Sequence, residues 1–434
     1  MGNGQTLTSV LAALLATLMA LAGAAGSQSS GGQQRATSAA PVAAENAGRV
    51  HSAGLPRDYV GRDYAGKRYV GSDTCRSCHK DIDETFFHTA HFLTSRPATK
   101  ESIAGSFSSG ANILETANPA LLYRMEAKDG GFFQTAVEGA APEATTHSER
   151  FDVVIGSGRK GQSYLYWKGD QLFQLPVSYW TELRAWVNSP GYLDGVADFD
   201  RPILPRCLEC HATYADAEDT FANRYHQARG FVLGISCEKC HGPGREHAVR
   251  YGSKNPPAAS DGASDGTLVN PAKLSRAIQI DNCALCHGGI GHALAPTFSY
   301  KPGEPIGKYL QLDSPGASSN IDVHGNQVAL LERSRCFQAS ENMTCSTCHN
   351  VHERQRDMAT FSQRCLSCHQ EKSCGQYPKL GHAIAQNCID CHMPNQQTNL
   401  IVSSFNGKAV RPKVRNHWIK VYPEFATANS AAGK

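Results

Sequence analysis

The hydrophobic patterning of the chain changes three times. Residues 10–22 (VLAALLATLMALA) are one apolar run, and residues 1–26 hold no Lys, Arg, Asp or Glu. Ala22-Gly23-Ala24 follows as a small-residue cleavage site, so residues 1–25 read as a secretory signal peptide, although the usual basic start is missing. The alternative is an uncleaved N-terminal anchor, because residues 7–25 are just long enough to cross a bilayer. Residues 26–66 are rich in Ser, Gln, Gly and Ala and read as a flexible linker; His51 there is incidental. Between residues 110 and 200 apolar and polar positions alternate. Residues 121–126, a turn at Asp129-Gly130-Gly131 and residues 132–137 predict a hairpin, and residues 163–167, 168–170 and 171–176 predict another. Residues 151–158 read as a strand and turn. Gly156-Ser157-Gly158-Arg159-Lys160-Gly161 mimics a phosphate-binding loop, but a strand follows it rather than a helix, which argues against nucleotide binding. Outside this β-rich stretch the alternation stops. Residues 81–94 predict a helix, and most of residues 201–395 reads as short helices joined by irregular chain, followed by a tail over 396–434.

Composition sets only broad bounds. The chain has 434 residues, 41% hydrophobic, and a formal net charge of +3. That excludes a polytopic membrane protein and a wholly disordered chain, and it gives no electrostatic case for nucleic-acid binding. The informative numbers are 16 cysteines and 18 histidines.

Fourteen of the cysteines fall in seven copies of one pattern. The copies are Cys75-x-x-Cys78-His79, Cys207-x-x-Cys210-His211, Cys237-x-x-Cys240-His241, Cys283-x-x-Cys286-His287, Cys345-x-x-Cys348-His349, Cys365-x-x-Cys368-His369 and Cys388-x-x-Cys391-His392. Two thiols spaced by two residues can add to the two vinyl groups on one edge of a haem, and the adjacent His then binds the iron from one face. Zinc ribbons need paired CxxC units and no fixed His after each. Seven chance placements of His have a probability on the order of 10⁻¹⁰, which removes stray CxxC units as an explanation. The pattern predicts seven covalent c-type haems with His79, His211, His241, His287, His349, His369 and His392 as proximal iron ligands. Cys336 and Cys374 remain. An oxidising compartment favours a disulfide between them, worth about 4 kcal/mol on a chain-entropy account; the alternative is two buried thiols.

Eleven histidines are left, enough to give each of seven haems a second axial ligand. His352 lies three residues after His349 and cannot wrap to the far face of the same ring, so as a ligand it serves a neighbouring haem. The same holds for His247, six residues after His241. His88 and His91 are three apart, so at most one of them binds iron. The leading distal candidates are His91, His247, His324, His352 and His382, followed by His292 and His417. His88 and His226 are reserves, and His147, in a polar run, reads as a surface residue.

Several stretches resemble one family. Tyr69-Val70-Gly71-Ser72-Asp73-Thr74 leads into CRSCH, with Thr89-Ala90-His91 after it. Gly234-Ile235-Ser236 precedes CEKCHGPGREH, and CSTCHNVHE and CIDCHMP come later. Together they are similar to the cytochrome c-554-like (cytochrome c-552/4 domain) multihaem proteins. The resemblance implies stacked haem pairs, a mainly helical fold, an exported location and electron transfer, with His91, His247 and His352 at distal positions. More distant likeness reaches hydroxylamine oxidoreductase and pentahaem nitrite reductase, but this chain has no CxxCK site.

The resulting expectation is a mainly α, haem-cored fold with extensive loops and a small antiparallel β-module over residues 110–200. That module separates a first haem segment (residues 67–109) from a six-haem domain (residues 201–395). The expected function is an exported, periplasmic heptahaem electron carrier. Its partners would be other cytochromes or a membrane quinol-linked complex, with no catalytic residue assigned. Two alternatives stand beside it: an oxidoreductase acting on a small nitrogen or sulfur compound at one five-coordinate haem, and a subunit of a polymeric cytochrome wire. Seven haems bring about fourteen propionate charges, offset by roughly +1 for each ferric haem core, so the loaded protein carries a net charge of about −4 rather than the positive charge of the bare chain.

Overall fold

The computed structural model describes residues 68–218, 221–226, 230–257, 265–312, 326–398 and 400–425. The signal or anchor segment, the linker and His324 lie outside the described residues.

The alternating stretch folds as two antiparallel sheets. In the first, strands Ile113–Glu115, Leu121–Lys128, Gly131–Glu138 and Thr145–Arg150 follow one another as a meander. The predicted hairpin is its centre, with Lys128 opposite Gly131 and Leu121 opposite Glu138. Asp129 and Gly130 both take positive φ in the two-residue turn, the conformation that matches strand twist. The second sheet orders Ser95–Pro97, Val153–Ile155, Gly161–Lys168, Val177–Trp180 and Ala185–Asn188, with Gln171–Gln174 also paired to Gly161–Lys168.

Leu121, Tyr123 and Met125 sit on alternate positions of one strand and are buried together with Phe151, Tyr164, Tyr166, Leu175 and Trp186. This is the apolar core of the protein. Its polar atoms are satisfied. Gln134 accepts from Val177 N at 2.8 Å and donates to Val177 O at 3.1 Å, tying one sheet to the other. Tyr123 and Tyr166 donate to the carbonyls of Val196 and Phe199. A second cluster, with Val153, Leu165, Leu172, Ile203, Leu208, Tyr225 and Phe231, joins the second sheet to the chain around Cys207.

The rest of the chain is built differently. Its helices are short; the longest among the described residues is Arg276–His287. Its best apolar cluster is only Leu285, Ile306 and Leu310 with a few partly buried neighbours. Small two-stranded sheets lie between the second and third motifs, Ala212–Ala215 with Phe231–Leu233, and in the tail after the last motif, Asn395–Gln397 with Lys413–Arg415 and Ser403–Phe405 with Lys408–Val410. The fold is therefore mixed α and β, not mainly α. Two large sheets fill the long gap between the first two motifs, while most motif helices are short and only Arg276–His287, which ends on the fourth motif, reaches 12 residues. The predicted helix over residues 81–94 also breaks. It runs only Lys80–Phe86, because the buried Thr89 hydroxyl accepts Phe92 N at 3.2 Å and diverts the backbone into a turn. Among the described residues no helix is long and apolar enough to cross a membrane.

Asp152, at the joint between the sheets, accepts Trp167 N at 2.8 Å. Burial pushes its carboxyl up to about 6. The folded state thus holds this proton more tightly than the unfolded chain, so the contribution is fully present below about pH 3.8 and is lost as pH rises through about 6. Asp152→Asn is expected to raise the folding stability at pH 7.5 by on the order of 2 kcal/mol, with the gain vanishing near pH 4. Thermal unfolding of both proteins across that pH range checks it; an Asn variant equally destabilised at every pH would contradict it.

Candidate haem-binding sites

Four of the CxxCH motifs share a local geometry. The His N–H closes a turn onto the first cysteine's carbonyl, at 2.9 Å for His79 to Cys75, 3.0 Å for His349 to Cys345, 2.9 Å for His369 to Cys365 and 3.1 Å for His392 to Cys388. One turn of helix therefore holds both thiols on one side and projects the imidazole beyond them.

Four of the seven motif imidazoles face a second imidazole from elsewhere in the chain. His79 and His247 have ring centroids 6.4 Å apart, His241 and His352 6.1 Å, His349 and His417 6.3 Å, and His91 and His287 6.1 Å. A ring centroid lies about 1.1 Å from its own nitrogen and a metal–imidazole bond is about 2.0 Å, so two rings on opposite sides of one metal ion stand about 6 Å apart. The first three pairs are near parallel, at 24°, 16° and 30°, and the fourth is near perpendicular at 73°. Rotation about the nitrogen–metal–nitrogen axis changes that angle without changing the spacing.

The protonation of these rings suits a metal. Nδ1 of His241 donates to Val269 O at 2.8 Å, and Nδ1 of His417 to Arg415 O at 3.1 Å. Nδ1 of His247 meets the Thr267 hydroxyl at 3.1 Å, and that hydroxyl donates onward to Asp265. With the proton held on Nδ1, Nε2 keeps its lone pair for a metal. Burial holds His91 and His417 down to about 4, and it is also the main cause lowering His241, His247, His287, His349 and His352. The rings are neutral at neutral pH, the form that ligates.

The pairs open onto one cavity of about 2790 Å³. That is several times the roughly 300–1,000 Å³ of a small-ligand pocket. Thiols of different motifs come near one another in it, Cys210 beside Cys286 and Cys283 beside Cys345. Spacing, donor set and cavity size all fit several haems lying close together. No disulfide joins Cys336 to Cys374. Cys336 instead lines the cavity, in Coulombic reach of Cys348 and Cys365, while Cys374 lies near Cys388.

Other candidates are placed elsewhere. His382 is 84% exposed, with Nδ1 on Glu371 at 2.6 Å and Nε2 beside the Tyr377 hydroxyl. His292 is exposed on a two-residue strand paired with Leu310–Gln311. His147 stacks on Phe199 at the β-module surface. His88 borders the cavity against Phe87, and His226 donates its backbone N–H to Asp216 O.

Sequence reasoning missed the acidic residues inside the motifs. Glu238, in CEKCH, is buried and accepts from three backbone N–H groups: Val70 and Gly71, both at 2.9 Å, and Gly244 at 2.7 Å. It thereby clamps the first motif to the third. Glu209, in CLECH, accepts from Phe298 N at 2.7 Å and Arg206 at 3.0 Å, and Arg206 also donates to the carbonyls of Leu285 and Ile290 near the fourth motif. Asp390, in CIDCH, pairs with Arg415 at 2.6 Å, two residues before His417. An acidic residue between paired motif cysteines was the available signal.

Residues 179–242 match the family described as cytochrome c554 and c-prime. The chain is also 22% identical over 227 residues to a C-type polyheme cytochrome, OmcC, of Geobacter sulfurreducens, covering 46% of this chain and 27% of that protein. It is 28% identical over 198 residues to the multiheme cytochrome MtrA of Shewanella baltica, covering 44% of this chain and 45% of that protein. With the motifs, these matches decide the family. The chain is a multihaem c-type cytochrome. As such the cytochrome carries covalent c-type haem. It spans less than half the length of either relative, and no solved structure matches it.

In the cytochrome, Glu238 has no replacement for its role, because an amide cannot offer two anionic oxygens to three donors. Glu238→Gln is expected to cost about 1.5–3 kcal/mol. A thermal midpoint for the holoprotein equal to that of the parent would refute the clamp.

Proposed function

We propose that this cytochrome is an exported heptahaem electron carrier. One haem is anchored at each CxxCH motif, with His79, His211, His241, His287, His349, His369 and His392 as proximal ligands. His247, His91, His352 and His417 are the distal ligands of the sites at His79, His287, His241 and His349. The observation that carries the reading is the set of four imidazole pairs spaced 6.1–6.4 Å across one cavity. Haem, when bound, supplies a one-electron ferric/ferrous couple. The chain holds the rings, keeps Nε2 unprotonated, and excludes water with apolar neighbours such as Phe86 beside His352 and Phe361 beside His349. Export follows from the chemistry of c-type attachment and from residues 1–25. The partners are redox proteins, either other cytochromes or a quinol-linked membrane complex.

A second reading, an oxidoreductase at a ligand-accessible haem, draws on His369. Among the described residues no histidine ring faces it, and it is exposed at the cavity edge.

Two measurements test the proposal. The intact mass is expected to exceed that of the polypeptide by seven haems; a smaller increment contradicts the count. Electron paramagnetic resonance is expected to show low-spin ferric haem at the four paired sites. Each of His247→Ala, His352→Ala, His417→Ala and His91→Ala is expected to convert one of those haems to high spin. A high-spin signal in the parent that nitrite or cyanide perturbs favours the second reading.

A further inference from the structure

The loop Gly156–Gly161, set aside above as a nucleotide site, has a place in the fold that its sequence alone does not explain. It joins strand Val153–Ile155 to strand Gly161–Lys168 and takes positive φ at Gly156 and Gly158. Thr181 pins it, donating its hydroxyl to Gly158 O at 2.7 Å and its N–H to Lys160 O at 3.0 Å. The turn thereby presents Arg159 and Lys160 at the rim of the haem cavity. The chain after CSTCH brings Arg354 and Arg356 to the same cavity.

These cations are close to one another. Arg354 and Arg159 both act on Arg356, and Arg159 also acts on the His349 ring. Glu182 is in Coulombic reach of Lys160, but none of the four cations closes an ion pair with a carboxylate of the described chain. Like charges gathered at the edge of an apolar cavity repel, and the cost is removed when anions sit between them. The β-module core does not use them, since its buried residues lie on the inner faces of the sheets.

We propose that Arg159, Lys160, Arg354 and Arg356 form a carboxylate clamp for the propionates of the haem anchored at Cys345, Cys348 and His349. The clamp makes the β-module a positioning element for that haem. The proposal rests on the heptahaem reading given above. Cations beside the propionates stabilise the reduced centre, because reduction removes one positive charge from the iron while the carboxylates stay compensated. An acidic redox partner is the competing occupant of the rim. The chemistry favours the propionates, because the cations border the interior cavity from two separate segments and one of them acts on an axial imidazole.

The test uses holoprotein carrying Arg159→Gln with Lys160→Gln, and separately Arg354→Gln with Arg356→Gln. All four residues are exposed, so folding is not at stake. Intact mass first establishes the haem count. In a spectroelectrochemical titration, one of the redox waves is expected to move, the same wave that His417→Ala moves. Its reduced-to-oxidised ratio at fixed potential is expected to fall about tenfold, a shift of about 59 mV for one electron. A full haem complement with every wave unmoved overturns the clamp, and that is the outcome expected if the rim serves an acidic partner. A parent protein lacking haem at His349 overturns the heptahaem reading and the clamp together.

Discussion

Two imidazoles can share one metal ion only when their rings stand about 6 Å apart with their nitrogens aimed at each other. Four pairs of imidazoles in this chain stand at that spacing. The partners come from distant segments: His79 with His247, His91 with His287, His241 with His352, and His349 with His417. A one-turn helix places each motif histidine, but nothing local can place its partner. The chain must therefore fix the distance between segments that share no apolar core of any size, and it does so with polar contacts.

Those contacts concentrate in the motifs. Glu238 holds the start of the first haem segment against the third motif and receives Gly244 from the turn that leads to His247. One carboxylate thus sets the geometry of two imidazole pairs, His79 with His247 and His241 with His352. Arg206 and Glu209 do the same between the second and fourth motifs. The C-terminal tail is tied more heavily still. Trp418 lies between Arg333 and Lys420, each 3.7 Å from its ring centroid, and Ser334 accepts Ile419 N at 2.8 Å. The same segment presents Lys420 O to Nδ1 of His392 at 3.1 Å, so it orients one motif imidazole while carrying the histidine that faces another. Cation–π contacts and charge-assisted hydrogen bonds suit this task because they are directional where apolar burial is not.

What could be read from the sequence follows the reach of the chemistry. Covalent haem attachment is local, so the seven motifs stand out unaided. The hairpin at residues 121–138 was legible because one face is buried and alternation is its direct consequence. His247 and His352, singled out by their short offsets from motif histidines, each face a motif imidazole. His382 also lies near a motif, and Glu371, eleven residues before it, holds its Nδ1 at 2.6 Å. The mixed fold was missed because strands such as Asn395–Gln397 and Lys413–Arg415 are three residues long and leave no periodicity. The residues between motif cysteines look interchangeable from the motif alone. Their importance lies in contacts such as Glu238 to Val70, which span a long stretch of sequence.

The two halves thus meet the entropy cost of folding by different means. The β-module buries a continuous aromatic and aliphatic core and satisfies its tyrosines and Gln134 internally, so its stability belongs to the polypeptide. The haem half has little apolar cluster of its own and a cavity where a core would be. Its folding free energy must come largely from what fills that cavity, in the way metal binding and folding are coupled in small metallodomains. The β-module is more than an insertion between two motifs in that arrangement. Its second sheet shares the Leu165, Leu172 and Phe231 cluster with the chain around Cys207, and its edge strand Ser95–Pro97 follows directly from the segment carrying His91. Ser95 donates its hydroxyl to His211 O at 2.6 Å and accepts Gly234 N at 2.8 Å. The sheet therefore ties His91, His211 and the third motif together. It supplies a template against which the remaining motifs can close.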